Sequence, residues 1–107
     1  MSFETKIQNT EIMQQARSAS KLLKAVANQH RFLISCYIKY REYSAGELEK
    51  VTNLSQSALS QHLALLCKEG LVQTRRSAQM IFYRLASNQA NKILEYIRQV
   101  LLGEGSN

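Results

Sequence analysis

Two short helices that follow one another almost without a break are the feature that most restricts what this chain can fold into. Ser44 and Glu47 form a capping box, in which each side chain pairs with the other residue's backbone N–H, so a helix is predicted to begin directly after Ser44. Asn53 tolerates the left-handed conformation that ends a helix, and Ser55 can cap the next helix at once. The sequence therefore predicts a helix over about 45–52 and a second one joined to it by a short turn.

The second of these helices, residues 55–69, separates an apolar stripe from a polar face. The stripe consists of Leu59, Leu63 and Leu66. The opposite face carries small and amide side chains: Gln56, Ser57, Ser60, Gln61 and Ala64. No carboxylate occurs in the helix before Glu69. Carboxylates would repel phosphate, whereas Gln and Ser can reach base edges, so this face favours contact with DNA over a merely solvated surface.

A basic β-hairpin is predicted after Gly70, whose position suits the left-handed end of a helix. Residues 72–75 and 80–85 are expected to be strands, the second because its side chains alternate between two faces. The connection 76–79 lacks the Gly or Asn of a tight two-residue turn, so its turn type stays open. Over residues 55–85, four basic side chains and one acidic one give a net charge of +3.

Three more helices complete the predicted order. The first is indicated by apolar residues that recur every three or four positions: Ile12, Ala16, Ala19, Leu23 and Val26. It spans about 11–27. Asn28 can cap a largely apolar second helix, and Ser87 can cap the last one. The stripe of that last helix is Ile93, Ile97 and Val100.

The length of 107 residues fits one domain, and no Pro-, Gly- or Ser-rich stretch marks a boundary within it. We therefore expect a single domain over 1–107 whose ends, 1–10 and 103–107, are frayed. The predicted fold class is α+β, mostly α, with the element order ααααββα.

The charge of the chain indicates a polyanionic partner. Lys and Arg number 14 against 8 acidic residues, a formal net charge of +6, which favours nucleic acid or an acidic membrane surface. No window approaches the roughly 18 apolar residues of a membrane span, and residues 1–10 lack the apolar core of a signal peptide, so we expect a cytoplasmic protein with no membrane partner. There is no Asp, no Ser/His/Asp set, no phosphate loop and no catalytic carboxylate pair, so neither an enzyme nor a cofactor is expected.

A helix-turn-helix with a wing consists of two short helices, the second polar on its outer face, followed by a basic hairpin. The predicted elements of this chain match that arrangement. The residues that carry a family resemblance lie at 27–31, 44–48, 54–63, 69–72 and 82–85, and read ANQHR, SAGEL, LSQSALSQHL, EGLV and FYRL. Through them the chain resembles, over roughly 17–101, the ArsR family of winged-helix transcriptional regulators. Within that family it is most similar to the HlyU-like branch, which includes the biofilm growth-associated repressor.

The resemblance implies a homodimer joined through the first and last helices, which fits their apolar stripes. It places helix 55–69 in the major groove and the wing, residues 72–85, along the DNA backbone. A two-fold dimer presents two recognition helices about 34 to 36 Å apart, so the expected partner is double-stranded DNA with an inverted-repeat operator. The alternative is a protein-interaction module that uses the winged fold without DNA, and absence of salt-dependent duplex binding would favour it.

The predicted DNA contacts come from the polar helix face, the cap before the preceding helix, and the wing. They are Ser44, Gln56, Ser57, Ser60, Gln61, His62, Arg75, Arg76, Gln79 and Tyr83. Arg75 and Arg76 flank the wing, where Arg approaches phosphates or the minor groove. His62 stays open between a phosphate contact and a packed histidine.

The resemblance also bears on how such a regulator is switched. Metal-sensing members carry Cys in the third helix or Asp and His in the last, and 44–50 and 88–102 contain none of these, so metal sensing is not expected. The HlyU-like branch has one Cys in the second helix and one near the end of the last. Cys36 matches the first, whereas Leu102 stands in place of the second. Cys36 is therefore either a redox-sensing thiol or a buried small hydrophobe, and Cys67 is expected to be inert.

Overall fold

The computed structural model describes residues 3–103, with side chains described from Asn9 onward. Its helices in that stretch are α1 Phe3–Val26, α2 Gln29–Ile38, α3 Ala45–Thr52, α4 Gln56–Lys68 and α5 Asn88–Leu102. Its strands are β1 Tyr43–Ser44, β2 Val72–Ser77 and β3 Met80–Leu85. The predicted winged helix-turn-helix order is confirmed, with β1 as an addition. Two residues are too few to show an alternating pattern, so the sequence did not indicate this strand.

The strands form one antiparallel sheet in the order β1-β3-β2. Strand β2 extends to Ser77, past its predicted end, and Ser77 pairs with Met80. Only Ala78 and Gln79 therefore connect β2 to β3. The turn is a tight two-residue turn although neither residue is Gly or Asn, because Ala78 adopts a left-handed backbone with φ of 56°.

The local signals that defined the helix boundaries are all in place. The predicted N-cap side chains accept hydrogen bonds from backbone N–H groups of the first helical turn: Asn28, Ser44, Ser55 and Ser87. Glu47 completes the capping box of α3 by accepting a hydrogen bond from the backbone N–H of Ser44 at 2.9 Å. Asn53 ends α3 in the left-handed conformation, with φ of 60°. These contacts involve residues close in sequence, and for that reason sequence patterns predicted them.

The hydrophobic core lies between the end of α1, the helices α2 to α5, and the base of the hairpin. Its buried apolar side chains are Ala25, Val26, Ile34, Ile38, Leu48, Leu59, Leu63, Leu66, Leu71, Val72, Ala90 and Leu94. The predicted inner stripe of α4 is thus confirmed, since its three leucines belong to this core. One continuous core fixes α3, α4 and the wing relative to one another.

Helix α1 begins at Phe3, well before the predicted start at residue 11, so residues 3–10 are helical rather than frayed. The chain has no Pro and no Gly before Gly46, so it lacks the residues that most often stop a helix. At the other end α5 stops at Leu102, and the expected frayed segment beyond Gly103 lies outside the described residues. Within residues 3–103 no helix has the length and apolar character needed to cross a membrane.

The predicted apolar stripes of α1 and α5 face away from this core. Of the α1 stripe only Val26 is buried, and α5 enters the core through Ala90 and Leu94 instead. The large apolar side chains left exposed on these two helices are Ile12, Met13, Leu23, Ile93, Tyr96, Val100, Leu101 and Leu102. The protomer therefore presents apolar surface on its first and last helices.

Candidate nucleic-acid interface

Helix α4 presents its polar face to solvent. The leucine stripe is buried on the opposite side, which fixes the rotation of the helix about its axis. The predicted outer residues are all exposed: Gln56, Ser57, Ser60, Gln61 and Ala64. This face can therefore enter a groove without any rearrangement of the core.

His62 lies at the edge of that face and is turned toward α2. Its ring centroid is 5.6 Å from that of His30, and its side chain is half-buried. Burial, together with the positive charge of Arg31 and the neighbouring His30, lowers the pKa of His62 below its ordinary value of 6.5. These surroundings favour the neutral form of His62 and so disfavour a charged contact with phosphate.

Two other predicted contacts are held within the protein. Ser44 is only 6% exposed, and its hydroxyl accepts the Glu47 N–H at 3.2 Å as the cap of α3. Tyr83 is half-buried against the core, and this burial raises the pKa of its hydroxyl. Ser44 is therefore engaged as a helix cap, and Tyr83 is partly covered by the core.

The two wing arginines predicted to contact DNA, Arg75 and Arg76, have different surroundings. Arg75 donates Nε and Nη2 to the carboxylate of Glu42, at 3.0 and 2.7 Å. Its guanidinium also lies over the ring of Phe82, 4.9 Å from the centroid. Arg76 and Gln79, near and at the turn, are exposed. Arg75 is exposed as well, but of these three side chains it is the one with an ion-pair partner among the described residues.

Glu42 is the residue of this region that sequence reasoning missed. It is separated from Arg75 by 33 positions, and no local pattern links them. The alternation of a strand could have shown that Arg75 and its neighbour point to opposite faces, but not which acidic residue meets either one.

Both cysteines are free and half-buried. Burial raises the pKa of Cys36, although Arg98 and Lys39 oppose the shift, and burial alone raises the pKa of Cys67. Cys36 lines a cavity of about 610 Å³ together with aromatic side chains of α2. Among the described residues there is no group of three or more His, Cys, Asp or Glu side chains that could hold a metal ion.

Comparison with known proteins agrees with this architecture. Residues 28–74 match the sequence pattern of the family described as bacterial regulatory protein, arsR family. The transcriptional activator HlyU of Vibrio cholerae is 44% identical over 90 residues, which cover 84% of this chain and 83% of that protein. The biofilm growth-associated repressor of Agrobacterium fabrum is 37% identical over 92 residues, which cover 86% of this chain and 79% of that protein.

The solved structures give the same result. HlyU from Vibrio cholerae N16961 matches with a TM-score of 0.79 at 44% identity, over 83% of this chain and 97% of that chain. The similarity thus extends beyond the helix-turn-helix to the wing and the flanking helices, and the predicted resemblance is confirmed. These relatives are regulators of transcription and not enzymes. The chain belongs to the arsR family of bacterial regulatory proteins.

Proposed function

We propose that the chain is a dimeric regulator of transcription that recognises a specific duplex DNA sequence through α4 and contacts the backbone with its wing. The exposed polar face of α4, opposite a buried leucine stripe, carries the proposal. A face without carboxylates can enter the major groove and bond to base edges without repelling the flanking phosphates. Such a regulator acts in the cytoplasm, where bacterial DNA lies.

The proposed contact set is smaller than the set predicted from sequence. Helix α4 supplies its exposed polar side chains for base edges and nearby phosphates: Gln56, Ser57, Ser60 and Gln61. The wing supplies Arg76 and Gln79. Four predicted contacts already have neighbours within the protein and are left out: Ser44, His62, Arg75 and Tyr83.

An added carboxylate tests the role of the α4 face. Gln61→Glu should greatly weaken binding to duplex DNA, because it places a negative charge beside the phosphates. Gln29→Glu is the matched control, since it makes the same chemical change at an exposed position on α2, outside the proposed contact set. Binding is measured by fluorescence anisotropy over a salt series. A regulator that contacts six or more phosphates should lose about 10³-fold or more in affinity between 50 and 200 mM salt. Absence of salt-dependent duplex binding by the wild type would indicate a protein-interaction module instead.

The dimer follows from the exposed apolar surface. Leu23 on α1 and Ile93 on α5 remain 53% and 40% exposed, and they line one cleft of about 590 Å³ between the two helices. A second copy that covers this cleft would remove contiguous apolar area from water. A two-fold arrangement of this kind presents two copies of α4 to an inverted-repeat operator.

A charged substitution in the cleft tests the dimer. Leu23→Glu should give monomers and weaken DNA binding, because a carboxylate would be buried between the copies without a partner. Val51→Glu serves as the control, since Val51 is a comparably exposed apolar residue on α3. Sedimentation velocity reports the oligomeric state of each. A wild type that is monomeric at micromolar concentration and still binds its operator would contradict the proposal.

We propose that metal ions do not switch this regulator, because α3 and α5 contain no Cys, His or Asp that could serve as a ligand. Operator affinity should be the same with added zinc and with a chelator. A change of tenfold or more, about 1.4 kcal/mol, would contradict this part of the proposal.

A further inference from the structure

The ion pair between Glu42 and Arg75 crosses the sheet. Glu42 directly precedes β1, and β1 and β2 lie on opposite sides of the central strand β3. The Arg75 guanidinium reaches over Phe82 to donate both Nε and Nη2 to the carboxylate. Since β1 leads through the Ser44 cap directly into α3, this contact ties the wing to the strand that begins the helix-turn-helix.

Two of the three arginines in the wing, Arg75 and Arg76, lie on opposite faces of the hairpin. Arg75 is paired in register with Phe82, and Arg76 is paired with Ile81. Side chains alternate along a strand, so Ile81 shares its face with Tyr83, which packs on the core. Arg76 therefore continues the face that is turned toward the helices, and Arg75 lies on the outer face with Glu42.

The Glu42 carboxylate is charged at neutral pH and neutralises its partner. The hydrogen bond from Arg75 and the positive charges of Arg75 and Arg84 hold the pKa of Glu42 below its usual range. Both side chains are partly exposed, at 27% for Glu42 and 48% for Arg75, so DNA could approach either one. Arg76 has no ion-pair partner among the side chains that the structure describes.

We propose that Glu42 masks Arg75 from DNA, so that Arg76 rather than Arg75 contacts phosphate and Arg75 is a positioning residue. This inference rests on the proposed DNA binding. An arginine that is already paired with a carboxylate releases no counterion when the wing approaches DNA, so it adds nothing to the salt dependence of binding. Glu42 thereby limits the affinity of the wing for DNA of any sequence.

Three variants test the mask through binding to a random-sequence duplex over 50 to 200 mM salt. E42Q/R75Q removes one positive and one negative charge and should keep the wild-type slope of log affinity against log salt. R76Q should lower that slope by about one. E42Q frees Arg75, so it should steepen the slope by about one, and its gain in affinity over the wild type should be about four times larger at 50 mM than at 200 mM salt.

The control is E49Q, which removes the same charge from a half-buried position on α3, outside the proposed contact set, and should leave the slope unchanged. Circular dichroism melting confirms that each variant is folded. A slope lowered as far in E42Q/R75Q as in R76Q would show that Arg75 contacts phosphate itself, and would overturn the proposal. An E42Q variant that binds like the wild type would overturn it as well. Failure of the proposed function is distinguishable, because the wild type would then not bind the duplex at all.

Discussion

The rings of His30 and His62 lie 5.6 Å apart with their planes tilted by 39°, and they connect the first turn of α2 with the middle of α4. The next residue of α2, Arg31, adds a positive charge that acts on His62. Helix α4 is thus packed against a neighbour that disfavours protonation of His62.

Acid should weaken the fold through His62. Its folded-state pKa lies below the ordinary 6.5, so as the pH falls the unfolded chain binds this proton first. The contribution of His62 to stability is therefore intact above the unfolded pKa and decreases as the pH falls through 6.5 and below. His62→Gln should make the unfolding free energy less dependent on pH between about 7.5 and about 5, as measured by urea denaturation. Parallel loss of stability in wild type and variant would contradict this.

The turn of the wing should be improved by glycine. Ala78 has a φ of 56°, a conformation that costs an L-residue about 1 to 2 kcal/mol. Ala78→Gly removes that strain. The same change costs about 0.4 to 1 kcal/mol of folding stability, because glycine increases the entropy of the unfolded chain. We therefore expect a net stabilisation of about 0.5 to 1 kcal/mol. Urea denaturation measures it.

The control for this turn is Ala64→Gly, on the exposed face of α4, where the backbone is helical. It should destabilise the protein by about 1 kcal/mol. Equal destabilisation by both substitutions would show that the left-handed conformation of Ala78 is not strained.

Gln61 should discriminate between DNA sequences. Gln61→Ala is expected to cost about 1 to 3 kcal/mol on the specific site and much less on random DNA, because its amide can bond two atoms of a base edge. Gln29→Ala removes an exposed amide on α2, outside the proposed contact set, and should change neither affinity. Anisotropy titrations on both duplexes give the comparison. Equal losses on specific and random DNA would assign Gln61 to the backbone.

Cys36 should not switch DNA binding. Burial raises the pKa of this thiol, which disfavours the reactive thiolate, and Leu102 stands at the position where the resemblance described above implies a second cysteine. The operator-binding free energies of wild type and Cys36→Ser should agree within about 1 kcal/mol, both before and after treatment with mild oxidant or polysulfide. This difference is small compared with the roughly 4 to 10 kcal/mol by which specific binding exceeds non-specific binding. Mass spectrometry should find no Cys36–Cys67 link within a subunit. Loss of binding in treated wild type, absent in Cys36→Ser, would show that Cys36 senses.

The parts of the fold that sequence predicted are those that depend on near neighbours. The capping box of Ser44 and Glu47 and the left-handed Asn53 involve residues at most a few positions apart, and they set the helix-turn-helix boundaries correctly. The leucine stripe of α4 likewise needs only helical periodicity, and it predicted which face of α4 would be exposed.

The features that sequence did not predict depend on contacts between distant residues. Strand β1 exists because it pairs with β3, and the tight turn at Ala78 exists because the register of the hairpin imposes it. The pairing of Arg75 with Glu42 changes the surroundings of a predicted DNA contact, and it arises only when the sheet has formed.

The central claim, that a dimer reads duplex DNA with two copies of α4, is tested most directly by binding-site selection from random duplex DNA with the full chain. The expected result is enrichment of an inverted repeat whose half-site centres are one turn apart, about 34 to 36 Å, bound by two protomers. Enrichment of a single half-site bound by one protomer, or no enrichment at all, would contradict it.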